Sequence, residues 1–262
     1  MIELAPHHKI GLPVENPVIL AGGTIGYGEA YHAGLDLAKL GCVVVGPVMR
    51  HGTAGSVPPR YGAVDGGMVL DSGLQNRGVG AVLRRFGRSW PGLGCPVIVQ
   101  IADSQPELVG QVAQRIHEAL GVSGIELLLP HHADASLTHR LLRTTVRAGD
   151  LPVWAKLPLQ RTPELAEAAV AGGASALVVG SPPPGATVRK RGDGTRQAIV
   201  GGLHGPGAFA PMLASLLRLA EMDLPGALIA CGGIHTLEQA RQALAAGAAA
   251  VQIDSAVWVE PG

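Results

Sequence analysis

The chain is short of aromatic side chains, of lysine, of patterned cysteine and of long apolar segments, and each shortage excludes something. Phe, Trp and Tyr together make up 3% of 262 residues, too few for the stacking platforms that hold single-stranded nucleic acid. Twenty basic residues balance twenty acidic ones, so no long-range field gathers nucleic acid or an anionic membrane. No apolar run reaches the roughly 18 residues that span a bilayer, and the stretch from Met1 to His7 is no secretory leader. Cys42, Cys95 and Cys231 are odd in number and follow no metal or disulfide spacing, which reads as small buried side chains in a reducing compartment. The chain is expected in the cytoplasm, with a small molecule as its substrate.

What is abundant is small and apolar. Hydrophobic residues reach 47%, with 38 glycines and 20 prolines that punctuate apolar runs instead of replacing them, so disorder is excluded. Eight short runs rich in Val and Ile recur at 17–21, 42–48, 96–101, 124–129, 152–157, 175–180, 227–231 and 249–254. None alternates cleanly with polar residues, so both faces should be covered, and helical patterns lie between them. This predicts one (β/α)8 barrel domain over 1–262. Ser104 with Glu107 and Thr236 with Gln239 read as capping boxes, Thr162 before Pro163 as a helix start, and Gly172–Gly173 as a stop. Segment 49–94 is too long for a simple crossover and should form an excursion over the barrel. Only eight residues follow Asp254, short of a final helix.

In such a barrel the working residues sit where strands end, on the C-terminal face. Lys156, one of four lysines against sixteen arginines, closes the fifth run in Val-Trp-Ala-Lys-Leu-Pro. A buried ammonium is costly unless it meets a ligand or a partner charge, and a neighbouring carboxylate is the plainer of those two readings. Two glycine clusters, Gly201-Gly202-Leu203-His204-Gly205-Pro206 and Cys231-Gly232-Gly233-Ile234, fall in the segments where this architecture binds phosphate. His51, His131, His132, His204 and His235 fall on the same face and, with Asp254 and Lys156, raise a metallohydrolase reading. Against it, the first run ends in Ala21-Gly22-Gly23-Thr24, without the His pair such a site uses, and no metal is expected.

Several ordered motifs then carry a resemblance: Asn16-Pro17-Val18-Ile19-Leu20-Ala21-Gly22-Gly23-Thr24, Pro58-Pro59-Arg60, Gly73-Leu74-Gln75-Asn76, the two glycine clusters, and Ala246-Gly247-Ala248-Ala249-Ala250-Val251-Gln252. Over nearly its whole length the chain resembles the B-type class 1 dihydroorotate dehydrogenases, FMN-dependent barrels that oxidise dihydroorotate to orotate in pyrimidine biosynthesis. The resemblance implies a flavoprotein in which Lys156 contacts the flavin ring, Ala21 and Gly22 lie beside it, and Gly202, Gly232, Gly233 and Ser255 hold the phosphate. It implies substrate binding by Asn76, a base at His131, which stands where the family has cysteine, a homodimer, and an electron-transfer subunit as partner. Asp254 replaces a family glycine beside the phosphate, and a carboxylate there is repulsive unless a cation or proton intervenes. The family lysine at the end of strand two is Gly46, its substrate asparagines are Leu70, Leu128 and Gly180, and the threonine following the last is Ser181. The expected function is an FMN-dependent oxidoreductase with a substrate other than dihydroorotate. The alternative is a catalytically degenerate paralogue that binds a phosphorylated ligand or a partner subunit.

Overall fold

A computed structural model of the chain describes residues 1–29, 35–190, 192 and 194–259. A short antiparallel hairpin, β1 (Ile2–Glu3) and β2 (Pro13–Val14), precedes eight parallel strands: β3 (Val18–Leu20), β4 (Cys42–Val48), then, beyond the excursion strands β5 (Tyr61–Val64) and β6 (Gly67–Leu70), β7 (Val97–Ile101), β8 (Val122–Leu128), β9 (Val153–Pro158) and β10 (Ala176–Ser181). After a second excursion, β11 (Pro184–Lys190) and β12 (Arg196–His204), come β13 (Ala227–Cys231) and β14 (Ala250–Ile253). The barrel closes in the order β10-β13-β14-β3-β4-β7-β8-β9, and all eight runs read from the sequence become its strands.

Alternate strand residues face opposite sides, and two apolar layers result. Ile19, Cys42, Val44, Ile98, Trp154, Val178, Ile229 and Ala250 fill the bore, continuous with Leu4, Ala5, Leu12 and Val14 of the hairpin and its loop. Val43, Val45, Val99, Ile125, Leu127, Leu157 and Val179 face outward into the shell of helices. That shell comprises α1 (Val79–Phe86), α2 (Pro106–His117), α3 (Ala135–Arg147), α4 (Thr162–Ala171), α5 (Phe209–Ala220) and α6 (Leu237–Ala245), followed by a single turn, α7 (Ala256–Val259). Residues 260–262, on which the expectation of a missing final helix also bears, lie outside the described residues. None of the described helices is long and apolar enough to cross a membrane.

Helix ends follow the sequence in part. Thr236 and Gln239 form the full capping box, and Gly172 ends α4. Ser104 does not cap α2: the helix starts at Pro106 with Gln105 before it, because proline is pre-set for the first helical turn. Thr162 is already inside α4, its hydroxyl donating to the Pro158 carbonyl at 3.1 Å.

The excursion over 49–94 is present as the β5–β6 hairpin and α1. The second excursion is not apparent in the sequence reading. Strands β11 and β12 join β6 and β5 in a four-stranded antiparallel sheet, order β11-β12-β6-β5. The cluster read as a phosphate loop before a helix thus has Gly202, Leu203 and His204 inside β12, opposite Leu70, Val69 and Met68 of β6. Scarce aromatics anchor the first excursion: Tyr27 stacks on Phe86 at 5.0 Å, and Trp90 donates to the Tyr27 carbonyl at 2.9 Å.

The hairpin seals the bore from below, and Leu4 is fully buried there. Leu4→Ala should lower unfolding free energy by about 2–5 kcal/mol in urea melts, with the barrel fold retained by circular dichroism.

Candidate active site at the barrel mouth

One register step beyond the apolar bore, the inward positions turn polar. Gln100 follows Ile98 by two residues, Lys156 follows Trp154 and Gln252 follows Ala250, while Glu126 stands on the neighbouring β8; all four are buried. Glu126 Oε1 accepts from Gln100 Nε2 at 2.7 Å, and its Oε2 accepts from Gln252 Nε2 at 2.6 Å. Lys156 Nζ donates to Gln252 Oε1 at 2.8 Å and lies 3.5 Å from Glu126 Oε1. The partner carboxylate foreseen for Lys156 is therefore Glu126, and two glutamines complete its hydrogen bonding. Burial alone would lower the Lys156 pKa; the surrounding acidic groups, the carboxylates of Glu126 and Asp254 among them, outweigh it and move it upward, so the ammonium persists. Burial pushes the Cys231 thiol up to about 11, so it is neutral at physiological pH.

Above this frame lies a second polar group. Asp254, two residues beyond inward-facing Gln252, places Oδ2 2.6 Å from Nδ1 of His204 on β12. The His204 ring packs against Trp258 at 5.6 Å. His235 Nε2 lies 3.0 Å from Ser255 Oγ, and burial lowers the His235 pKa against the pull of Asp254. Of the residues expected at the phosphate, Gly232 and Gly233 follow β13, Ser255 follows β14, and Gly202 lies inside β12, paired with both Pro184 and Leu70 and two residues before His204.

Ala21 is buried at the end of β3, and a Cβ on Gly22 would come 2.6 Å from Gln100 Nε2. Gly46, at φ +136°, would bring a Cβ to 2.9 Å from the Gln100 carbonyl, and at Gly180, φ +125°, a Cβ would run into the Cys231 carbonyl. At both positions the backbones approach too closely for any side chain.

Other expected residues stand apart. His131 is exposed in the turn between β8 and α3, with no hydrogen bond or ion pair among the described residues. Asn76 is buried but occupied locally: its Nδ2 donates to the Leu74 carbonyl at 3.0 Å and its Oδ1 accepts from Gly78 N at 2.8 Å. It lines a surface cleft with Thr53, Arg77, Arg84 and Arg85. The five histidines do not converge: among the described residues no group of three or more His, Cys, Asp or Glu is arranged to hold a metal.

Sequence reasoning missed Gln100, Glu126 and Gln252. The signal was present, since each interrupts an otherwise apolar strand, and a polar residue there must be paired. Removing one member should expose that debt. Glu126→Ala is expected to cost about 3–5 kcal/mol, whereas Glu126→Leu with Lys156→Met should lose clearly less than the two single changes added together, as read by a double-mutant cycle from denaturant melts.

The family pattern described as dihydroorotate dehydrogenase matches residues 7–261. Proteins named dihydroorotate dehydrogenase B (NAD(+)), catalytic subunit, are similar to the chain. That of Desulforudis audaxviator is 32% identical over 96% of this chain and 86% of its own length. Those of Solidesulfovibrio magneticus and Streptococcus pneumoniae are 33% and 30% identical over the same shares. With its closed barrel and buried lysine at the mouth, the chain belongs to the dihydroorotate dehydrogenase family.

Proposed function

We propose that the chain is a flavin-dependent oxidoreductase that holds FMN at the barrel mouth and acts on a substrate less polar than dihydroorotate. The observation that carries this is the Lys156 ammonium kept charged inside a closed hydrogen-bonded frame. A cation fixed in a water-poor site is suited to stabilising negative charge on a ring lying over it.

The residues present fit the group. The hydroxyls of Thr24, in the loop after β3, and Ser181, at the end of β10, are buried without a hydrogen-bond partner among the described residues. Gly232, Gly233 and Ser255 lie after the barrel's seventh and eighth strands, where this architecture holds phosphate. The Asp254 carboxylate is hydrogen bonded to His204. FMN, when bound, supplies hydride acceptance and onward electron transfer. Lys156 would hold negative charge at the ring, and Glu126 with Gln252 would keep its Nζ in place. Ala21 and Gly22 would flank the ring, Gly202 would border the phosphate end, and Asn76 would approach the substrate from its loop. Proton removal is assigned to His131, whose exposed imidazole offers a ring nitrogen as proton acceptor. Half-buried Leu70 and Leu128 and the side-chain-free Gly46 and Gly180 offer no hydrogen bonds to a dihydropyrimidine's amides and carboxylate, which favours a less polar substrate.

The curated relatives are named as catalytic subunits. We propose the same setting here: a cytoplasmic homodimer served by an electron-transfer subunit. A second reading, a degenerate paralogue that binds a phosphorylated ligand or a partner subunit, is favoured by the Asp254 carboxylate at the phosphate end.

Purified protein with added FMN should retain flavin absorption after gel filtration, and Lys156→Met should weaken that retention. No retained flavin at saturating FMN would remove the oxidoreductase reading. With FMN bound, His131→Ala should slow substrate-dependent bleaching by about 10²–10⁴-fold without changing flavin retention; an unchanged rate would make His131 a bystander.

A further inference from the structure

We propose that His204 and Asp254 form a proton-controlled lock on the phosphate end of the site, admitting a dianionic phosphate when His204 is protonated and opposing it when His204 is neutral. The inference rests on the flavin reading above and deepens it.

The argument starts from register. Asp254 continues the inward series Ala250, Gln252 on β14, so its carboxylate belongs to the mouth and not to the helix side. The loops after β13 and β14, with Gly232, Gly233 and Ser255, are the phosphate elements of this barrel class. Asp254 directly precedes that serine. His204 arrives from the other direction, on lid strand β12, and spends Nδ1 on Asp254 Oδ2 at 2.6 Å. Its Nε2 remains, 3.4 Å from the place a Cβ would take on Gly202. The two side chains are 14% and 19% exposed, enclosed enough for their charges to be felt and open enough for protons to exchange.

The surrounding charges leave this pair as the variable. Lys156 and Glu126 cancel one another across the frame. Cys231 is a neutral thiol, and burial favours neutral His235, which bonds Ser255. Trp258 covers one side of the His204 ring and carries no charge. With an imidazolium at 204 the pair is neutral overall and offers an Nε2–H to an anion. With a neutral imidazole the uncompensated Asp254 carboxylate faces the phosphate and repels it. Phosphate binding and protonation of His204 are therefore linked: affinity is greater when the imidazole carries a proton and is lost when it does not.

The test compares FMN with riboflavin, which has the same ring and no phosphate, by quenching of flavin fluorescence on the whole protein from about pH 6 to about pH 8.5. Riboflavin affinity should stay level while FMN affinity falls by about tenfold or more, equivalent to about 1.4 kcal/mol. Asp254→Asn should raise FMN affinity at high pH and flatten the profile. His204→Gln should bind FMN weakly throughout, with circular dichroism confirming that the variants fold; if one does not, the other carries the comparison. The lock is overturned if FMN and riboflavin share one profile. It is equally overturned if His204→Gln keeps the wild-type pH dependence, which would then belong to the phosphate's own ionisation near about pH 6. FMN bound equally well at every pH sinks the lock and leaves the flavin reading standing. Failure of both flavins to bind sinks the two together.

Discussion

The ion pair of Lys156 and Glu126 inside the barrel is the constraint around which the mouth is built. Taking two charges out of water costs several kcal/mol per ion, and their attraction repays this only when remaining donors and acceptors are satisfied. Gln100 and Gln252 do that. Gln100, Glu126 and Lys156 come from adjacent strands β7, β8 and β9, whereas Gln252 comes from β14, three strands away in either direction around the closed sheet. Its side chain therefore crosses the bore, and the frame ties opposite walls together. A one-residue slip in any of these strands would turn its polar member onto the helix side, so the frame also fixes register. The remaining strands bring small residues near this level: Ala21 after β3, Gly46 in β4, Gly180 in β10 and Cys231 at the end of β13.

The second organising feature is the lid. Its four strands come from two crossovers far apart in sequence, one after the second barrel strand and one after the sixth, and the pairing of β6 with β12 joins them into one sheet. That pairing carries His204 over the end of β14, where it meets Asp254. Neither residue would be compensated without the other: a half-buried carboxylate at the barrel end would lack a partner, and His204 would have no fixed ring orientation. The lid thereby connects a sheet with one exposed side to the charge balance of the barrel mouth.

How much of this was legible in the sequence follows from periodicity. All eight barrel strands could be read because strands buried on both faces appear as continuous Val and Ile runs, and the box at Thr236 could be read because capping is local. The strands of the lid could not. Segment Pro184–Lys190 is largely exposed and opens on a row of prolines, so it has no apolar pattern to distinguish it from a loop, and its pairing with β6 is a long-range fact. The same limit applied to the site. Lys156 stood out by rarity, but its partners were hidden in the runs that made the strands recognisable, and His204–Asp254 required knowing that β12 passes over β14. His131 depended on a different signal: its position was carried over by likeness, and it stands exposed in the turn after β8, apart from the hydrogen-bonded frame.

The departures from the family are not simple deletions. If the lysine replaced by Gly46 had merely been truncated, the backbone would still leave room for a side chain. Instead Gly46 adopts φ +136° with the Gln100 carbonyl where a Cβ would press, and Gly180 lies against the Cys231 carbonyl in the same manner. Chain and neighbour lie too close for a side chain at two separate strands, while the Lys156 frame is hydrogen bonded. An unpaired buried charge is among the most destabilising defects available, so loss of any one member of that frame is costly. The frame is complete, and on two strands the wall around it is glycine, where the neighbouring carbonyl leaves no room for a side chain.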